Sequence, residues 1–300
     1  MLPTVYRSGL VAVAVIIGLA GCTAESETPV ESSAPLPGDV VRSILLTDDD
    51  GWDADGITIM YDELVAAGYD VTLVGPKDNF SGAGQYAFGG DLSAQQSAVD
   101  PDKWWVDGTP VDSVRVGLLG ILETPPDLVI SGINHGANAA YNVNYSGTVG
   151  AATAAAEQGI PAIAVSADVG ADDAATNFDA GAELTVALVK SLTEDALAEM
   201  AAGDVVNVNV PYSTADNASP RGVRIATQAE VEWQTKDYTL GDDGKWVITY
   251  SDAPPAAADS DKALIAAGYS TLTVLSVARD GEEQEHPELD GVLAALASGG

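Results

Sequence analysis

An apolar run, Ile44-Leu45-Leu46-Thr47, passes directly into three consecutive aspartates, Asp48-Asp49-Asp50, and then Gly51-Trp52. The run reads as a buried strand, and adjacent carboxylates disfavour one another's ionisation. Asp55-Gly56 follows and opens a helical pattern of Ile57, Met60, Leu64 and Val65. In α/β folds the carboxyl end of a strand is where ligands bind. A bound hard cation is the economical way to hold this much negative charge there. The alternative is a solvated acidic turn.

From Ser43 onward short β-type runs alternate with helical patterns. This predicts an α/β fold: a Rossmann-like, mainly parallel sheet with helices on both faces. Strands are expected at Ser43–Thr47, Asp70–Val74, Trp104–Val106, Asp127–Ser131, Ala162–Ser166, Asp204–Val210 and Tyr269–Val277. Helices are expected at Asp55–Ala67, from Pro110 to about Leu122, through the alanines up to Gln158, and from about Asn177 to Ala202. Gly68 suits the residue after a helix, and Thr109 suits an N-cap with Pro110 as the first helical residue. After Pro211 the runs Val223–Thr227, Val231–Trp233 and Lys245–Tyr250, with the turn Gly241-Asp242-Asp243-Gly244, predict a C-terminal β-hairpin excursion. Asp259-Ser260-Asp261 should start a short helix, and a small helix is expected near the C-terminus. Gly82-Ala83-Gly84-Gln85-Tyr86-Ala87 matches the dinucleotide pattern G-x-G-x-x-A, but no helical pattern follows, which removes that reading.

The first residues stand outside this pattern. Met1 to Arg7 carries one positive charge, Leu10 to Ala20 is apolar, and Leu19-Ala20-Gly21 precedes Cys22, the single cysteine. The apolar stretch is too short for an ordinary membrane span and reads as a secretory signal peptide. Its end resembles the lipobox of bacterial lipoproteins, which implies lipidation of Cys22 and an extracytoplasmic protein anchored to the bacterial cell membrane by its acyl chains alone. One cysteine excludes an intrachain disulfide. The Ser-, Thr-, Glu- and Pro-rich stretch 23–38 reads as a flexible linker. The expected organisation is therefore signal peptide and lipobox cysteine 1–22, linker 23–38, and one domain over 39–300. With 45 acidic against 12 basic residues, net −33, nucleic acid is excluded as a partner.

Three loops at expected strand ends carry hard oxygen ligands: the aspartate triplet, Ser81 among its glycines, and Ser131-Gly132-Ile133-Asn134. Ser146-Gly147-Thr148 offers hydroxyls and free N–H groups where a helix begins, a natural phosphate site. A cation beside an anion site is the minimal equipment for phosphate ester hydrolysis. Each residue also has a plainer role: Asp48 as a solvated cap, Ser81 as a turn, Asn134 as a residue tolerant of positive φ, Ser146 as an N-cap. A histidine triad is poorly supported by His135 and His286 alone, and no G-x-S-x-G elbow occurs.

Five motifs stand in order: Ile-Leu-Leu-Thr-Asp-Asp-Asp-Gly (44–51), Pro-x4-Ser-Gly (76–82), Asp-Gly-Thr-Pro-Val-Asp (107–112), Ser-Gly-Ile-Asn-x-Gly-x-Asn (131–138) and Tyr-Ser-Gly-Thr-Val-Gly-Ala-Ala (145–152). In order and spacing the chain resembles the SurE family, stationary-phase survival proteins that are metal-dependent 5′/3′-nucleotidases. The resemblance continues weakly through Asn207-Val208-Asn209-Val210-Pro211. It implies one divalent metal ion, Mg²⁺ or Mn²⁺ before Ca²⁺, on Asp49, Asp50, Ser81 and Asn134. It implies a phosphate held by Ser146, Gly147 and Thr148, with Gly108 and Thr109 bordering the substrate pocket. Asp49, Asp50, Asn134 and Thr148 would be catalytic, the partner a small-molecule nucleotide, and the assembly a homodimer or homotetramer. Two departures stand out: most of the family looks like Thr-Asn-Asp-Asp-Gly, so Asp48 replaces an amide, and Trp52 stands where Tyr is usual. The rival reading is a lipoprotein that binds nucleotide or phosphate without turnover.

Overall fold

Alternation along the first strand sets the layers. In a computed structural model describing residues 40–170, 176–213 and 219–277, β1 spans Ser43–Thr47. Successive side chains of a strand point to opposite faces. Ile44 and Leu46 accordingly join one core with Ile57, Met60 and Leu64, while Leu45 joins the other with Val111, Val114 and Ala155. A strand apolar on both faces needs a helix layer on each, and the fold supplies them. α1 (Asp55–Ala66) and α4 (Phe178–Ser191) cover one side; α2 (Pro110–Val116) and α3 (Gly147–Ala156) cover the other.

The remaining strands are β2 (Asp70–Pro76), β3 (Ala94–Gln96), β4 (Lys103–Val106), β5 (Leu128–His135), β6 (Ala162–Ala167), β7 (Asp204–Val210), β8 (Val223–Ile225) and β11 (Ser270–Ser276). They form one sheet with β1, in the order β3-β4-β2-β1-β5-β6-β7-β11-β8. All pairings are parallel except β3 on β4 and β11 on β7. β1 lies between β2 and β5, so the chain changes its winding direction there. Such a switch point leaves a crevice at the strand ends. β9 (Gln234–Leu240) and β10 (Trp246–Asp252) pair only with each other, as the expected hairpin. α6 (Asp261–Ala266) is capped by Ser260, whose hydroxyl accepts from Ala263 N.

α3 shows how composition positions the site. Every residue of it is buried, and its alanines and glycines let backbone approach closely. A Cβ on Gly150 would lie 2.1 Å from the Gly84 carbonyl oxygen, so only glycine lets the Ser81 loop lie against this helix.

Some elements differ from expectation. The helix expected from Asn177 to Ala202 is two, α4 and α5 (Glu194–Ala201). Leu192 is extended and the Thr193 hydroxyl accepts from Ala196 N at 3.2 Å. A threonine cap followed by Glu194 and Asp195 starts a new helix more strongly than the apolar period continues the old one. α2 ends at Val116 and passes into a π-helical turn, Gly117–Ile121. β5 runs on to His135, through a bulge in which Ser131 pairs with Ala164 and Asn134 with Ser166. Val231–Trp233 is not a strand; the hairpin strand begins at Gln234. β3, exposed and polar, carries no apolar alternation to read. The signal and linker segments, Cys22, His286 and the expected terminal helix lie outside the described residues.

Candidate active site

β1 delivers Asp48 and Asp49 into the interior, not to solvent. Their exposures are 0% and 2%, which removes the solvated-turn alternative. Asp49 N donates to Asp48 Oδ1 at 2.8 Å, and Asp48 Oδ2 has no hydrogen-bond partner among the described residues. Burial, then the charges of Asp49 and Asp50, hold the Asp48 carboxyl well above the usual carboxylate range. Burial also pushes Asp49 up to about 6, while the bond from Thr148 opposes the shift.

Asp49 is the best-positioned group of the three. Thr148 Oγ1, at the start of α3, donates to Asp49 Oδ1 at 2.6 Å. Asn138 Nδ2 donates to Thr148 Oγ1 at 3.1 Å and to Ser166 Oγ at 3.0 Å. Asn138 is itself clamped by β7: its N–H donates to Asn209 Oδ1 at 2.8 Å, and the amides of Asn207 and Asn209 donate to its carbonyl. Gly147 completes the seat, because a Cβ there would fall 2.7 Å from Asp49 Cβ. The helix start and the carboxylate can meet only over a glycine, and the positive end of α3 then faces the negative charge.

Asp50 is held by a second set. Asn79 Nδ2 donates to its Oδ1 at 2.8 Å, Ser81 Oγ to the same oxygen at 3.3 Å, and His135 N to Oδ2 at 2.8 Å. Asn134 Nδ2 donates to the Gly136 carbonyl at 2.6 Å, leaving its amide oxygen as the acceptor offered to a ligand. Asp49, Ser81, Asn134, His135 and Ser146 line one cleft of about 280 Å³ at the switch point, with Lys236 reaching in from β9.

The expected residues thus fall into three groups. Asp49, Asp50, Ser81 and Asn134 converge at this cleft, Asp50 through its bonds to Ser81 and His135. Ser146 lines it too, while its hydroxyl also caps α3 by accepting from Val149 N at 3.0 Å. Thr148, expected at the phosphate, is fully buried, does not line the cleft and donates its hydroxyl to Asp49. Gly108 and Thr109 likewise do not line this cleft. Thr109 closes a capping box with Asp112 and donates to the Tyr86 carbonyl at 2.7 Å, which ties down the Ser81 loop from behind. Asn79, Ser166 and Lys236 are additions of the structure, and Asn138, Asn207 and Asn209 stand in the motifs quoted above without an assigned role. Asn138 closes the fourth motif, and buried Asn207 and Asn209 recur at strand spacing; both were legible signals.

No group of three or more His, Cys, Asp or Glu among the described residues forms a metal cluster. The donors here are instead mixed, with carboxylates, a hydroxyl and an amide oxygen, a set suited to a hard divalent cation. None of the ion pairs among the described residues involves Asp48, Asp49 or Asp50. Buried carboxylates with no cationic side chain paired to them fit a cation.

Residues 44–235 match the family model described as Survival protein SurE. The chain belongs to this family. It is 35% identical over 236 residues to the 5′-nucleotidase SurE of Solidesulfovibrio magneticus, covering 77% of this chain and 90% of that protein. It is 34% identical over 238 residues to the 5′/3′-nucleotidase SurE of Proteus mirabilis, covering 78% and 89%. The crystal structure of the SurE protein from Aquifex aeolicus superposes with a TM-score of 0.68 at 28% identity, over 85% of this chain and 99% of that one. The SurE match takes in every residue of the carboxylate seat from Asp48 to Asn209 and ends one residue before Lys236.

Proposed function

We propose that this SurE-family protein is a metal-dependent phosphomonoesterase that hydrolyses nucleoside 5′- and 3′-monophosphates to nucleoside and phosphate. The observation that carries the reading is the single cleft at the switch point, where oxygen donors from three loops meet the start of α3. The names of the relatives, 5′-nucleotidase and 5′/3′-nucleotidase, support the same substrate class. Asp49, Asp50, Ser81 and Asn134 would hold one divalent cation, Mg²⁺ or Mn²⁺ before Ca²⁺. When bound, such an ion supplies Lewis-acid polarisation of a phosphoryl oxygen.

The protein's own groups have distinct tasks. Thr148 orients Asp49 and favours its ionised form. Asn79, Ser81 and the His135 N–H do the same for Asp50. Ser146, which lines the cleft at the start of α3, would donate to the oxygens of the transferring phosphoryl group, helped by the positive end of that helix. Such preorganised donors stabilise charge that grows in the transition state. Water attacks phosphorus, the ester P–O bond breaks, and the nucleoside leaves as an alcohol after gaining a proton.

Phosphate release from a panel of mononucleotides, with Mg²⁺, Mn²⁺, Ca²⁺ or chelator, tests the reading. Turnover that chelator abolishes and a divalent cation restores is expected. Nucleotide binding with no turnover under any cation would sink it in favour of a binding lipoprotein.

Anchoring belongs to the same proposal and rests on Leu19-Ala20-Gly21-Cys22. Acyl chains on Cys22 would place the domain outside the cytoplasm on a tether. No helix among the described residues is long and apolar enough to cross a membrane. Assembly as a homodimer or homotetramer completes the proposal.

A further inference from the structure

The cleft at the strand ends continues into a second cavity of about 430 Å³, and the two share Asn142, Tyr145 and Lys236. One wall of the second cavity is a single face of β9, where Gln234, Lys236 and Tyr238 alternate along the strand. The other is the 3₁₀ turn Ala140–Asn144 with Tyr145 at its end. Hydrogen bonds fix this wall. Tyr141 N donates to the Val231 carbonyl at 3.0 Å, and Gln228 Nε2 to the Ala140 carbonyl at 3.0 Å. The buried Asp261 carboxylate accepts from Ala140 N at 3.0 Å and from Ala229 N at 2.9 Å. The space is therefore bounded by a tethered segment and a strand.

Three tyrosines and one lysine line it, together with amide side chains and one carboxylate, Glu232. Tyr141, Tyr145 and Tyr238 are 43%, 66% and 57% exposed, and none of the ring pairs among the described residues involves them. Their faces are free to stack on a planar ligand. Lys236 stands where the two cavities meet and makes none of the ion pairs among the described residues, in a chain with 45 acidic and only 12 basic side chains. A lysine so placed, beside a cleft lined by Asp49, is a cation available to an anionic ligand.

We infer that the second cavity is the subsite for the nucleobase of the substrate, with Tyr141 and Tyr238 as its stacking surface and Lys236 as a positioning residue for the phosphate at the shared border. The inference rests on the nucleotidase reading and deepens it. Stacking on tyrosine tolerates every base, because every base has a π-face, so the subsite selects nucleotides as a class over sugar phosphates.

The test compares a nucleoside 5′-monophosphate with ribose 5-phosphate, which lacks the base, on the full chain with Mn²⁺. Tyr238→Ala and Tyr141→Ala should each lower the ratio of the two kcat/KM values about tenfold. Phenylalanine at either position should restore the ratio. A ratio equal to that of the unmutated protein in both alanine variants would overturn the subsite; a merely structural role would leave the ratio unmoved. Lys236→Ala should raise KM about tenfold for both substrates with kcat within about twofold, and Lys236→Arg should recover most of it. An unchanged KM would overturn the assignment of Lys236. If the unmutated protein releases phosphate from neither substrate, the nucleotidase reading fails, and calorimetric titration with adenosine decides the subsite by itself. Binding weakened by Tyr238→Ala supports it; no binding, or equal binding, overturns it.

Discussion

Thr148 and Asp49, 99 residues apart in the chain, are joined by a 2.6 Å hydrogen bond in a fully buried setting. The bond makes a helix N-terminus and a strand C-terminus into one unit. It also makes Thr148 the side chain that orients the central carboxylate.

Thr148→Val keeps the shape and removes the donor. A hydrogen bond to a charged group is worth about 1.5–3 kcal/mol, so cation affinity and turnover at limiting cation should fall about 10- to 100-fold. Thr148→Ser should recover most of the loss. Calorimetric cation titration with steady-state kinetics checks this. Full cation affinity in Thr148→Val would leave Thr148 with a packing role only.

The cation-free protein should lose stability as pH rises. Asp49 and Asp168 are each pushed up to about 6 by burial, and Asp48 moves in the same direction. For such groups the folded state binds the proton more tightly than the unfolded chain. Their contribution is complete below the ordinary value near 3.8 and is lost as pH rises through about 6. A divalent cation binds the ionised carboxylates, so its stabilising effect should be larger at high pH. Thermal midpoints with chelator and with Mg²⁺, measured at about pH 5 and about pH 8, give the comparison. A cation-induced rise that is no greater at the higher pH would contradict the seat described here.

Asp48 and Asp49 should respond differently to neutralisation. Asp48 has one buried oxygen without a partner among the described residues and does not line the cleft, whereas Asp49 lines it. Asp48→Asn should weaken cation affinity modestly, keep turnover at saturating cation and stabilise the cation-free protein. Asp49→Asn should abolish turnover at every cation concentration. An Asp48→Asn variant as inactive as Asp49→Asn would make Asp48 itself a ligand.

Cys22→Ser should move the protein from the membrane fraction to the soluble one and leave the phosphatase activity intact. Labelled fatty acid incorporation into the unmutated protein is the direct measurement. Its absence would end the lipoprotein reading.

Much of this molecule was legible because its signals are local. The strand Ser43–Thr47, the Thr109 cap with Pro110 and the Ser146 cap of α3 depend only on period and neighbouring residues. Local pattern placed the loops bearing Asp49, Asp50, Ser81 and Asn134 after expected strands, but the choice of these residues as one set rests on the order of motifs shared with the SurE family. Tertiary structure alone decided what those residues do to one another. Only the placement of β1 between β2 and β5 brings the Ser81 and Asn134 loops to one crevice. The burial of Asp48, the clamp from Asn207 and Asn209 through Asn138 to Thr148, and the reach of Lys236 from the hairpin all join distant stretches of chain. Burial and charge act through space, and no periodicity along the chain encodes them.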